Sequence, residues 1–146
     1  MKGTALLTLF VLLFVAAPVA AQNDDKPFAE AFIVLQVSDS DPEVQARVVN
    51  VANNLVKHYG GPDMVDIEIV AFGPGLSLLF PGNAQEERIR SLLASDVRFT
   101  GCLNTLSSIE RATGKRPEVI AEADMVQTGV AHVVERATQG YVVIRP

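Results

Sequence analysis

The chain predicts an α/β fold: a three-layer α/β/α sandwich on a mostly parallel five-stranded sheet. Three observations carry this. Short apolar, β-branched runs alternate with longer stretches whose apolar residues recur every three or four positions. The first run is apolar at every position but Gln36, as in strands covered on both faces. Helices between strands imply crossover connections, and those make neighbouring strands parallel.

The first strand is read over 31–37, a continuous apolar run closed by Ser38 and Asp39. Asp41 is placed to cap the next helix, with Pro42 as its first residue. That helix runs over 43–59, with Val44, Val48, Val51, Leu55 and Tyr59 as its apolar stripe, and Gly60 and Gly61 end it. A second strand covers 65–72, in which Ile67, Ile69 and Ala71 alternate with Asp66, Glu68 and Val70. Gly73, Pro74 and Gly75 break it. The apolar stretch 76–80 is more hydrophobic than a solvated loop, so it either packs on its own sheet or marks an interface.

Asn83 is a candidate cap for a helix through Leu92 or Leu93, with Ile89, Leu92 and Leu93 on its inner face. The third strand covers 97–100, and a helix follows from about Leu103 to Thr113, ended by Gly114. A fourth strand is placed in the second half of 119–126. The last helix spans 128–139, with Val130, Val133, Val134 and Ala137 as its stripe. After Gly140, residues 141–144 form the fifth strand.

The first 21 residues read as an export signal. Lys2 precedes an apolar run over 5–17, Pro18 breaks it, and Val19, Ala20 and Ala21 offer a cleavage point. The run is shorter than the ~20 residues that span a bilayer. Residues 1–21 are therefore taken as a cleaved signal peptide, 22–30 as a flexible leader and 31–146 as a single domain in the periplasm, with no membrane attachment after cleavage. Losing Lys2 takes the formal net charge from −5 to −5 − 1 = −6. That disfavours nucleic acid and anionic membrane as partners, since both are recognised by cationic patches.

Cys102 is the one cysteine. Exported proteins usually pair their cysteines, and a single thiol has no partner in its own chain. It is a buried inert residue, half of an intermolecular bridge, or a reactive sulfur. Its place at a strand-to-helix junction favours ionisation, because the first amides of the helix and the helix dipole stabilise a thiolate. Sites in open α/β sheets gather beyond the carboxyl ends of the strands. The loops there are 38–41, 73–75 and 101–105. Ser38 and Asp39 either orient a partner or cation or simply form the turn. Gly73, Pro74 and Gly75 either admit a ligand close to the backbone or simply turn the chain.

His58 and His132 are not spaced as a metal pair, and both read as surface residues. No metal site or cofactor is expected. No nucleophile-elbow motif surrounds a serine, so serine hydrolysis has no support.

Taken in order, Gln36-Val37-Ser38-Asp39, the segment Glu68-Ile69-Val70-Ala71-Phe72-Gly73-Pro74-Gly75, and Phe99-Thr100-Gly101-Cys102-Leu103-Asn104-Thr105 form a pattern. Thr128-Gly129-Val130 and the terminal Gly140-Tyr141-Val142-Val143-Ile144-Arg145-Pro146 complete it. With these residues the chain resembles the DsrE/DsrF-like proteins of the sulfur-relay superfamily, in their exported branch. The resemblance implies an α/β/α fold assembled as a homo-oligomer, trimer or hexamer. It implies a cysteine that carries sulfur as a persulfide between a donor and an acceptor protein, and Cys102 matches that cysteine. Gly101, Asn104 and the 73–75 loop would shape its surroundings. The alternative is a non-catalytic oligomeric module of the same fold that binds a small molecule or a protein.

Overall fold

The computed structural model describes residues 26–146. The proposed signal peptide and most of the proposed leader lie outside the described residues. The sheet is parallel throughout, in the order β4-β3-β2-β1-β5. Its strands are β1 (Ala31–Val37), β2 (Val65–Ala71), β3 (Arg98–Cys102), β4 (Asp124–Val126) and β5 (Val142–Ile144). The helices are α1 (Pro42–His58), α2 (Glu86–Ala94), α3 (Leu103–Thr113) and α4 (Gly129–Thr138), with a 3-10 turn over Gly73–Leu79.

This order explains the layers. The chain steps β1, β2, β3, β4 in one direction, and right-handed crossovers place α1, α2 and α3 on one face. It then crosses the whole sheet to reach β5, so α4 lies on the other face. The main core belongs to the first face. Ile33, Leu35, Ile67, Ile69 and Phe99 meet Val48, Val49, Ala52, Ile89, Leu92 and Leu106 there. The second core is small: Val34, Val70, Val133 and Tyr141, flanked by Phe32 and Phe72.

Several local expectations hold. The Asp41 carboxylate accepts the Glu43 amide at 2.8 Å and caps α1. α3 ends at Gly114, whose φ of 73° is the left-handed cap that glycine adopts without penalty. His58 is exposed at the end of α1.

Others are corrected. The buried seam of α1 is Gln45, Val48, Val49 and Ala52, rotated from the expected stripe. Gln45 is drawn inward because its side chain is fully employed. Its amide donates to the Asp39 carbonyl and the Ser77 hydroxyl, and its oxygen accepts from Asn83. Asn83 accepts the Gln85 amide and so caps the turn ahead of α2 rather than the helix. The apolar stretch 76–80 is not a surface patch: Leu76, Leu78 and Leu79 are all buried in the main core. Within the proposed leader, Lys26 is anchored. The buried Lys26 ammonium donates to the carbonyls of Pro62, Val65 and Asp96 and pairs with the Asp96 carboxylate at 3.0 Å.

The largest correction concerns α4. Of its expected stripe only Val133 is buried, while Val130 and Val134 are more than half exposed. The sheet face below explains this. β2 turns Ile67 and Ile69 to the main core and Asp66 and Glu68 to the α4 side, both buried. Buried carboxylates require partners. α4 therefore presents Arg136 and His132, and His132 faces inward rather than out to solvent.

Candidate functional site

Cys102 ends β3 and is the residue before α3. Its side chain projects to the α4 side, as Thr100 does, while Gly101 points the opposite way. α4 begins beyond β4, the neighbour of β3, so its first residue comes to rest over the sulfur. A Cβ on Gly129 would sit 3.2 Å from the Cβ of Cys102 and 3.1 Å from that of Phe72. Glycine is what lets α4 approach this closely. Two helix amino termini thus converge on one thiol.

Cys102 is 5 % exposed. Burial pushes its pKa up. The Thr105 hydroxyl and the amides of Gly129, Thr105 and Asn104 outweigh that and hold the thiol below its ordinary value. When the sulfur carries its proton, the S–H faces the Gln127 carbonyl at 3.8 Å. The Thr105 oxygen also accepts the Gly73 amide at 2.9 Å, which orients the hydroxyl toward the sulfur. The positive φ of Gly73, 54°, aims that amide.

The expected site residues separate into three groups. Gly73, Pro74 and Asn104 line a groove of about 670 Å³ between α3 and the 3-10 turn, together with Ser40, Ser77, Phe80, Thr105, Ser108, Ile109 and Ala112. Thr105 borders the groove and donates to the sulfur. Asn104 ties the two helix starts together: its side chain donates to Thr128 at 3.0 Å and accepts from Gln127 at 2.5 Å. Gly75 and Gly101 are packing residues. A Cβ on Gly75 would lie 2.4 Å from the Val37 carbonyl oxygen, and one on Gly101 would lie 2.8 Å from the Met125 sulfur. Ser38 and Asp39 form the turn after β1. Asp39 accepts the Asp41 amide at 2.9 Å, and neither residue lines the groove.

A second polar cluster lies on the same sheet face, below Cys102. Glu68 accepts the Thr100 hydroxyl at 2.5 Å and the Arg136 Nε at 2.6 Å, and His132 Nε2 is 2.7 Å away. Arg98 is 3.7 Å from Glu68 and 3.0 Å from Asp66. The Tyr141 hydroxyl donates to Asp66 at 2.5 Å. Burial pushes the Glu68 carboxyl up, but Thr100, His132 and the Arg136 charge together hold it below the ordinary range. Thr105 and Gly129 enter the sequence reading only as members of the resembling segments, His132 reads there as a surface residue, and the cluster as such is not singled out. The available signal was the pair Asp66 and Glu68 inside a strand that otherwise reads as buried. Among the described residues, no group of three His, Cys, Asp or Glu side chains is placed to hold a metal ion. No helix there is long and apolar enough to cross a membrane.

No family model matches the chain, and no curated protein matches it. A solved structure does: the protein of unknown function MTH1491 from Methanobacterium thermoautotrophicum. It is 29 % identical, with a TM-score of 0.70, over 80 % of this chain and 100 % of the other.

Proposed function

We propose that the protein is a sulfur carrier that holds sulfur as a persulfide on Cys102 and passes it to a partner protein. The observation that carries this reading is the convergence of α3 and α4 on one thiol, whose thiolate is stabilised by three amides and a hydroxyl. The Cys102 thiolate attacks the outer sulfur of thiosulfate or a polysulfide. The S–S bond of the donor breaks, and sulfite or the shortened polysulfide leaves with the electron pair. An acceptor thiolate then attacks the outer sulfur of the persulfide and releases the Cys102 thiolate. No metal or organic cofactor enters either step. The resemblance to sulfur-relay proteins supports the same assignment.

Intact mass of the protein after incubation with thiosulfate or polysulfide tests this. Wild type gains one sulfur atom and Cys102→Ser gains none. Absence of the adduct on wild type, or an equal adduct on the serine variant, removes the proposal.

The setting we propose is the periplasm, after loss of residues 1–21. An oxidising compartment consumes exposed thiolates, and the near-complete burial of Cys102 favours its survival there. Amino-terminal sequencing of protein from a periplasmic fraction should begin at Gln22.

We further propose a homo-oligomer, a trimer or hexamer as in the resembled proteins. Val130 and Val134 of α4 and Val142 and Val143 of the edge strand β5 are exposed, and that apolar surface suits a second copy. Light scattering at micromolar concentration reads the mass, and a clean monomer counts against assembly.

A further inference from the structure

We infer that Glu68 is a positioning residue for the Cys102 thiolate: through His132 and Arg136 it fixes α4 in the seat from which the Gly129 amide reaches the sulfur. Gly129, His132 and Arg136 follow one another at three and four residues, so they share one side of α4. That side faces the sheet. Its first member meets Cys102, and the next two meet Glu68 at 2.7 and 2.6 Å.

Glu68 itself is fixed. It is buried on β2, flanked by β1 and β3, with the Thr100 hydroxyl on one oxygen and the Arg98 guanidinium 3.7 Å from the other. The remaining charged groups nearby are Asp66, paired with Arg98 and Tyr141, and Glu135, 3.7 Å from His132. Apolar packing gives α4 little purchase of its own, because Val133 is the one α4 side chain in the small second core. The hydrogen bonds of His132 and Arg136 with Glu68 therefore set where the helix lies. The Gly129 amide is about 4.5 Å of helix rise from His132. A shift of about 1 Å there takes an amide-to-sulfur contact out of bonding range.

The inference rests on the thiolate of Cys102 and not on sulfur transfer: a chain that took up no sulfur would still report it. The readout is the pH dependence of iodoacetamide alkylation of the full-length protein, which has one cysteine to modify. In Glu68→Gln the midpoint of that profile should rise by about one pH unit, a tenfold smaller thiolate fraction below the midpoint. His132→Ala should move it in the same direction. Its side chain is less deeply buried than that of Glu68, 16 % against 2 % exposed, so this variant carries the test where Glu68→Gln fails to fold. Leu92→Ala loosens the main core on the opposite face and should keep the wild-type midpoint. Folded Glu68→Gln or His132→Ala with a wild-type midpoint overturns the inference, as does an equal rise in Leu92→Ala.

Discussion

Replacing Thr105 by valine removes one hydroxyl and preserves the side chain's shape. That hydroxyl has two tasks. It donates to the Cys102 sulfur, and its oxygen accepts the Gly73 amide at 2.9 Å. A hydrogen bond to a charged group contributes about 1.5–3 kcal/mol. At about 1.4 kcal/mol per pH unit, its loss should raise the thiol midpoint by about 1–2 units. The Gly73 amide also loses its acceptor, and a polar group left unpaired costs about 1–3 kcal/mol of stability. The assay is again the alkylation rate against pH. A rate at one pH would understate the effect, because a thiolate of higher pKa is intrinsically more nucleophilic, with a Brønsted slope of about 0.4–0.5. The midpoint is free of that compensation. Thr105→Ser should return it toward wild type. A Thr105→Val protein that folds and titrates with wild type would refute the claim that this hydroxyl holds the thiolate.

Three further outcomes are expected. Gly75→Ala forces a Cβ to within 2.4 Å of the Val37 carbonyl oxygen, a backbone clash that no rotamer relieves. It should cost at least the upper part of the usual overpacking range of about 1–3 kcal/mol, read by urea denaturation. Tyr141→Phe removes the donor 2.5 Å from the buried Asp66 carboxylate and should cost about 1–3 kcal/mol by the same measurement. The Glu68 carboxyl is held below its ordinary value of 4.5, so its contribution to stability is complete above about that pH and is lost as pH falls through the lower folded value. Melting temperature against pH should therefore drop on the acid side in wild type, and the drop should be shallower in Glu68→Gln.

The succession of strands and helices was legible because each segment carries its own signal. α3 is the clearest case: an apolar strand before it and Gly114 after it bound the helix at Leu103 and Thr113. Cys102 was legible for the same reason, since a strand-to-helix junction is a local feature. The approach of Gly129 to Cys102 was not. It depends on α4 starting beside β3 and β4, and strand order leaves no trace in local periodicity. The orientation of α4 misled in a different way. Counting valines at helical spacing assumes that the surface beneath is apolar, and here it presents Asp66 and Glu68. The alternation of these acids with Ile67 and Ile69 on β2 held the correct answer, with one face for oil and one for charge. Gln45 in α1 follows the same logic, since three side-chain hydrogen bonds outweigh the preference for a valine in its place.

The Lys26 anchor has a practical consequence for anyone attaching this protein to something else. Its three carbonyl partners, Pro62, Val65 and Asp96, lie just ahead of or at the start of β2 and β3, whereas Cys102 closes the far end of β3. The strands are parallel, so these are opposite poles of the sheet, separated by roughly the length of a strand at ~3.3 Å per residue. A tag, fluorophore or solid support joined ahead of Lys26 would be tethered at the pole away from the sulfur. Such a fusion leaves the Cys102 pole of the sheet clear, whereas a cargo fused after Pro146 departs from the edge beside β5 and its exposed valines. Immobilisation through the amino terminus is thus the geometry that keeps the support away from the pole where Cys102 lies.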